Sequence, residues 1–111
     1  MSEGPAGQGE IWTVTAKVAN IEREHTVVVL TTAAVILQDG PVTVAMVKPG
    51  REILEKRRLL TVAIPGTSDV VAVYNMVAFP AAWFTRRQGV LPPDSLASVR
   101  SALKSYFDLH D

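Results

Sequence analysis

Residues 26–32, with the sequence TVVVLTT, form a run of β-branched and apolar residues without alternating polar positions. Such a run is typical of a strand that is buried on both faces of a sheet. Similar short runs lie before and after it along the chain, and turn signals rather than long helices separate most of them. We therefore predict that this stretch is a central strand of a small, mainly β protein.

The runs around this stretch predict the rest of the sheet. Residues 39–40, Asp-Gly, and residues 65–68, Pro-Gly-Thr-Ser, are strong turn signals between apolar runs. Short connections of this kind favour antiparallel neighbours in a strongly curved sheet or barrel. The predicted strands, besides 26–32, are 11–19, 33–38, 42–47, 59–64 and 69–77.

The last part of the chain predicts a helix over 93–109. Its apolar residues recur at the spacing of one helical face, and Pro93 and Asp94 suit the first turn of a helix. A second, short helix is predicted over 51–58, where Glu52 and Lys56 stand four residues apart. We expect the C-terminal helix to pack on the sheet.

Length and composition restrict the protein further. With 111 residues the chain is long enough for one domain, which we assign to 10–111, after a flexible tail at 1–9 that is rich in Gly, Pro, Ser and Gln. The formal net charge is zero, so overall charge does not drive binding to nucleic acid or membranes. The absence of cysteine excludes disulfides, Cys–zinc sites and thiol catalysis.

Several functional classes lack their motifs. The sequence has no phosphate-binding P-loop, no dinucleotide-binding glycine motif and no nucleophile elbow of a serine hydrolase. The two histidines, His25 and His110, are not in a pattern with ligand spacing, so we predict no metal site and no cofactor. Neither a secretory signal nor a membrane span is present, and a cytoplasmic protein is expected.

Two basic clusters could contact single-stranded RNA. One lies within residues 48–58, and the other is Arg86-Arg87, which follows the aromatic pair Trp83-Phe84. Cations beside aromatic rings can hold phosphates and stack bases. The alternative, that the charges are solvated loop residues and the rings belong to the core, stays open from the sequence.

The order of these features resembles the MazF/PemK (Kid) toxins. Residues 9–12, GEIW, resemble the start of the first strand in that family, and 27–32 resemble its buried Val-rich strand. Residues 42–47 and 69–71 are similar to later strands, and 86–96, RRQGVLPPDSL, resemble the segment that leads into the final helix. The resemblance implies an SH3-like, strongly bent antiparallel β-barrel with a C-terminal α-helix, shared with the CcdB toxins. It also implies a homodimer and a cognate antitoxin.

The family's ribonucleases cut single-stranded RNA without a metal and leave a cyclic phosphate. Aligned by strands, the family's Arg falls at His25 and its Thr at Lys48, while Ala72 and Tyr74 stand where Kid-like enzymes have Arg and Asp. His25 could act as a general acid or base and Lys48 could hold a phosphate. The resemblance thus implies catalytic roles for these two residues and RNA-binding roles for Arg23, Arg51, Asn75, Arg86 and Arg87.

Two functions follow as alternatives. The first is the toxin of a type II toxin–antitoxin system, a metal-independent endoribonuclease. The second is a non-catalytic protein of the same fold, either a CcdB-like gyrase inhibitor or a protein-binding relic. The replaced catalytic positions favour the second, whereas the C-terminal residues differ from the Trp-Gly-Ile ending of CcdB toxins and count against its gyrase version.

Overall fold

The computed structural model describes residues 4–32, 36 and 41–107. Six strands precede a C-terminal helix, and short 3-10 turns lie between the later strands. The strands are β1 (Glu10–Val18), β2 (Ile21–Val29), β3 (Val42–Pro49), β4 (Thr61–Ala63), β5 (Asp69–Phe79) and β6 (Phe84–Val90), the helix α1 is Pro93–Phe107, and the 3-10 turns are Gly50–Glu52, Glu55–Leu60 and Ala81–Trp83.

The strands form one antiparallel sheet in the order β4-β5-β3-β2-β1-β6. The mainly β class, the antiparallel pairing and the C-terminal helix are therefore confirmed. The sheet is not closed, because β4 and β6 are its two edges and do not pair with each other. The expected barrel is thus corrected to an open six-stranded sheet.

The central strand of the prediction is present with shifted bounds. β2 begins at Ile21, five residues earlier than predicted, because pairing with β1 extends through the polar residues 22–24.

β6 was not predicted, since its polar residues, TRRQ, lack an apolar alternation. The short helix predicted over 51–58 is replaced by 3-10 turns. Of the strand predicted over 33–38, only Ile36 is described, and it is helical, while residues 108 and 109 of the predicted helix lie outside the described ranges.

The sheet buries both faces in its centre. Val28 points to the face covered by α1, where it packs with Val71 and Val99. Val27 and Val29 point to the opposite face. That second face carries an aromatic group, and we call it the aromatic face; its aromatic members are Trp12, Phe79, Trp83 and Phe84. All three valines of β2 are fully buried, which confirms that this stretch is a central strand.

A two-residue turn joins β1 and β2. Ala19 and Asn20 both have positive φ angles, 51° and 67°. This is the signature of the type I′ turn, whose twist matches that of a two-stranded hairpin. Because alanine has no preference for this region, the sequence did not indicate the turn.

The end of the N-terminal segment is tied to the folded body. The backbone N–H of Gly9 donates to the carbonyl of Val29 at 2.8 Å, and its carbonyl accepts from the N–H of Leu91 at 2.9 Å. The side chain of Gln8 donates to the carbonyl of Leu30 and accepts from Arg100. These bonds connect the segment to the end of β2, to the residue after β6 and to the middle of α1. Flexibility of residues 1–9 and the domain bounds stay predictions.

Within the described ranges, the helices fall short of the length and apolar character that crossing a bilayer requires.

Candidate functional site

The strands that carry the two predicted catalytic residues separate beside them. The ladder between β2 and β3 has only three residue pairs and ends at Val27↔Met46. Beyond that pair β2 continues along β1, whereas β3 continues along β5. His25 and Lys48 stand two residues past the last pair on their respective strands. Alternation along each strand places both on the aromatic face, so they flank the point where the sheet divides.

The imidazole of His25 is held against an aromatic ring. It lies nearly parallel to the ring of Phe79, with the centroids 6.3 Å apart and the planes at 10°. Phe79 pairs with Val42, at the end of β3 opposite to Lys48. The imidazole is therefore directed away from the Lys48 end of β3, and no described hydrogen bond joins the two side chains. A substrate that uses both residues has to extend along the aromatic face.

His25 also lines a cavity of about 390 Å³ at the tip of the β1–β2 hairpin. Its walls are mostly apolar and include Val18 and Ile21, which are 65% and 55% exposed. The charged member of the lining is Arg23, which stands on the same side of β2 as His25. The structure therefore brings two predicted residues, His25 and Arg23, into one site with Phe79, which was not predicted.

Lys48 and Arg51 lie at the other end of β3. Lys48 is half-buried and pairs through its backbone with Val70, and Arg51 is exposed in the 3-10 turn that follows. Neither forms an ion pair with another described residue. Their charges are available to an anionic ligand, but they are separate from the His25 cavity.

Asn75 stands in an irregular part of β5. The register with β3 jumps between Ala45↔Met76 and Met46↔Ala72, so that residues 73–75 are extra residues in β5. In this bulge the guanidinium of Arg57 lies 4.8 Å from the ring centroid of Tyr74. The pairing of Arg57 with Tyr74 was not predicted. Arg57 lies four residues before β4, and nothing in the local sequence indicates its contact with Tyr74.

Arg86 and Arg87 are exposed on the edge strand β6, beside a second cavity of about 610 Å³. They are not equivalent. Nη2 of Arg87 lies 3.7 Å from Oε2 of Glu10, whereas Arg86 has no such partner among the described residues. Glu10 is buried and accepts hydrogen bonds from Nε1 of Trp12 at 3.0 Å and from the N–H of Ala6 at 2.8 Å. Part of the charge of Arg87 is therefore used within the fold.

No group of three or more potential metal ligands lies together in the part of the chain that the structure describes. His25 faces Phe79, and the neighbouring carboxylates of Glu22 and Glu24 are on the other side of β2 by alternation. This arrangement gives the candidate site cations and aromatic rings but no carboxylate cluster.

The fold has many counterparts among solved structures. The MazE–MazF complex of Deinococcus radiodurans contains a chain that is 20% identical, with a TM-score of 0.76 over 96% of this chain and 98% of that one.

This chain has the fold of the MazF toxins.

Other structures with this fold are similarly distant in sequence. A mycobacterial endoribonuclease in complex with its cognate antitoxin is 13% identical, with a TM-score of 0.77 over 96% of this chain and 99% of that one. The Mycobacterium tuberculosis toxin MazF-mt6 is 22% identical, with a TM-score of 0.68 over 90% and 99%. No family model and no curated protein sequence matches this chain. The MazF fold is thus retained over almost the whole length while the side chains have diverged.

One position matters for the MazF comparison. Ala72, which the strand alignment sets at the family's Arg, is fully buried opposite Met46. A methyl group inside the sheet cannot contact a phosphate. A phosphate on this face would therefore have to contact other groups, and Lys48 and Arg23 are cations of the described chain that stand, with His25, around the division of the sheet.

Proposed function

We propose that this protein is the toxin of a type II toxin–antitoxin system and acts as a metal-independent endoribonuclease on single-stranded RNA. The observation that carries the proposal is the combination of the MazF fold with His25 and Lys48 on the same face, where β2 and β3 divide. The aromatic face supplies aromatic rings close to cations, and surfaces of this composition bind single-stranded nucleic acid.

The reaction needs few groups. His25 accepts the proton of a ribose 2′-hydroxyl, and the 2′ oxygen attacks the adjacent phosphorus. The bond from phosphorus to the 5′ oxygen breaks, and that oxygen takes up a proton from solvent. The products are a 2′,3′-cyclic phosphate and a 5′-hydroxyl. Arg23, which lines the same cavity as His25, stabilises the negative charge that develops on the phosphoryl oxygens. Lys48 and Arg51, at the other end of β3, bind neighbouring phosphates.

The test is an RNA cleavage assay with purified protein in EDTA, in which a long RNA of low structure content is the substrate and primer extension maps new 5′ ends. We expect discrete cuts that His25→Ala abolishes, with the circular dichroism spectrum unchanged. His110→Ala is the matched control and should cleave like the wild type. Intact RNA with folded protein at micromolar concentration would reject the ribonuclease proposal.

The partners follow from the same proposal. Complexes of MazE with MazF, and of a mycobacterial endoribonuclease with its antitoxin, contain a chain with this fold. We expect a cognate antitoxin and a homodimer for this protein as well. Large apolar side chains are exposed outside the candidate site, notably Leu59 at 92% and Phe107 at 67%, and association would cover such groups. Light scattering after gel filtration measures the oligomeric state.

A non-catalytic role is the second candidate, and the burial of Ala72 favours it. In that case the fold would act by binding a protein such as DNA gyrase. A supercoiling assay with and without the protein separates the two: inhibition of supercoiling together with intact RNA would support the second candidate.

A further inference from the structure

The cavity at the tip of the β1–β2 hairpin has a composition that the cleavage chemistry does not require. Proton transfer by His25 needs neither an aromatic floor nor apolar walls. Yet the imidazole is stacked on Phe79, and the cavity is walled by Val18 and Ile21, both more than half exposed. Exposed branched apolar side chains beside a cavity of this size indicate a ligand site.

We propose that this cavity binds one nucleobase of single-stranded RNA, with the base against the rings of Phe79 and His25 and its phosphate on Arg23. This inference rests on the proposed function and adds a base-binding subsite to it. Planar rings provide a stacking surface that any base can use, and a guanidinium at the rim complements the phosphate that accompanies each base.

The charges around the cavity fit this ligand. Arg23 is the charged group in the lining, and no carboxylate lines the cavity. Glu22 is opposite Lys17 on β1, and Glu24 is opposite Thr15. Alternation directs both glutamates to the other side of β2, where Lys17 and Glu22 border a separate cavity. An anionic phosphate on Arg23 therefore meets no like charge within the site.

An added peptide strand fits less well. The edge of β2 over residues 21–24 faces the division of the sheet without a partner from β3. That edge consists of Ile21, Glu22, Arg23 and Glu24, and dense charges of this kind oppose pairing with another strand. The rings of Phe79 and His25 in the cavity lining therefore match a flat nucleobase better than the extended backbone of a peptide.

The neighbouring ring extends the same surface. Trp83 lies 5.9 Å from Phe79, centroid to centroid, with the planes tilted by 39°. Trp83 is the last residue of the 3-10 turn that follows Phe79, and its backbone N–H donates to the carbonyl of Pro80. Trp83 is half-buried next to Phe79. A base that enters the cavity therefore changes the surroundings of the indole, and stacking changes the surroundings of the base, so that either group gives an optical signal.

The experiment uses 2′-O-methyl pentanucleotides, which lack the attacking hydroxyl and cannot be cleaved. Each carries 2-aminopurine at the centre, between flanks of one base type, and a fluorescein label on a parallel set gives affinities by anisotropy. Wild-type protein should quench 2-aminopurine by stacking. Phe79→Leu should weaken binding about tenfold and relieve the quenching, as expected from the cost of losing one aromatic–base contact.

Three further variants keep the proposal falsifiable if Phe79→Leu folds poorly. Ile21→Ser removes an exposed wall and should weaken binding several-fold. Arg23→Gln should weaken binding and reduce the dependence of log Kd on log salt by about one ion. Leu59→Ser removes an exposed apolar residue remote from the cavity and should leave pentanucleotide affinity and quenching unchanged.

The outcomes separate this inference from the proposed function. Equal binding and quenching by wild type, Ile21→Ser and Arg23→Gln overturn the base site, while discrete RNA cuts by the wild type leave the ribonuclease intact. Weakened cleavage of long RNA by Ile21→Ser, with unchanged thermal stability, supports both the base site and the ribonuclease proposal. Failure of the wild type to bind any pentanucleotide overturns the base site, and the cleavage assay then decides the ribonuclease proposal by itself.

Discussion

His25 lies on Phe79 with their ring planes 10° apart and their centroids at 6.3 Å. The contact joins β2 to the end of β5 across the aromatic face, although the two strands are not neighbours in the sheet. It fixes the direction of the one described histidine that can transfer a proton in the candidate site. Under the proposed function, cleavage and binding of RNA at this face would therefore depend on the same pair of rings.

Replacing His25 separates these two roles. We expect His25→Ala to lower the rate of RNA cleavage by a factor of at least about 100, the scale of a lost general acid–base group. Binding of an uncleavable RNA should weaken much less, because Phe79 and Arg23 remain. Rates from labelled RNA and affinities from anisotropy give the two numbers. A parallel loss of both would mean that His25 binds rather than catalyses.

The two arginines of β6 should contribute unequally to RNA binding. Arg87 is partly neutralised by Glu10, whereas Arg86 has no ion-pair partner among the described residues. Arg86→Gln should therefore reduce the salt dependence of RNA affinity by about one ion and Arg87→Gln by less. Affinity measured over a series of salt concentrations checks this. Identical slopes for wild type and Arg86→Gln would remove Arg86 from the RNA-binding surface.

Glu10 should be important for stability. Its buried carboxylate accepts from the indole N–H of Trp12 and the backbone N–H of Ala6. Glu10→Ala leaves the buried indole donor without an acceptor, and we expect a loss of about 2 kcal/mol in the free energy of unfolding. Arg87→Ala should cost under about 1 kcal/mol, since that side chain is 54% exposed. Denaturant unfolding measures both, and Glu24→Ala on the exposed part of β2 is the control.

Gly9 combines an unusual backbone angle with close packing. Its φ is +94°, and a Cβ placed there would lie 3.2 Å from Cδ2 of Leu96. Gly9→Ala should therefore destabilise the protein by about 1–2 kcal/mol. Gly89→Ala is the matched control, because nothing lies within 4 Å of the added carbon and its φ is not positive. Equal melting temperatures for the two variants would contradict this account.

The β1–β2 turn offers a stabilising change. Ala19 has a φ of 51°, a region that glycine occupies without strain. Ala19→Gly should raise the free energy of unfolding by about 0.5–1 kcal/mol, after allowance for the larger entropy of glycine in the unfolded chain. Ala97→Gly on the exposed surface of α1 should lower it by about 1 kcal/mol. A loss of stability in both variants would show that the turn is not strained.

Strands with a dense apolar pattern were predictable because their side chains have to be buried wherever they lie. Val27, Val28 and Val29 belong to this group, and so does the helical face of α1. β6 was missed because its residues are mostly polar, and it is a strand only because Phe84 and the backbone pair with β1. The turn at Ala19 was missed for a related reason, since its angles are imposed by the two strands that it joins.

The candidate site, too, was only partly predictable from the sequence. The resemblance to the MazF/PemK family indicated His25 and Lys48, whereas the basic clusters with Arg51, Arg86 and Arg87 stand out in the sequence itself. Their roles stay predictions. Local pattern also established a mainly β chain with a C-terminal helix, since burial of alternating or continuous apolar runs is a property of neighbouring residues. Contacts between distant residues could not be obtained in this way. The stacking of His25 on Phe79, the ion pair of Arg87 with Glu10 and the separation of β2 from β3 join positions far apart in the chain, and only the packing of the whole sheet brings them together.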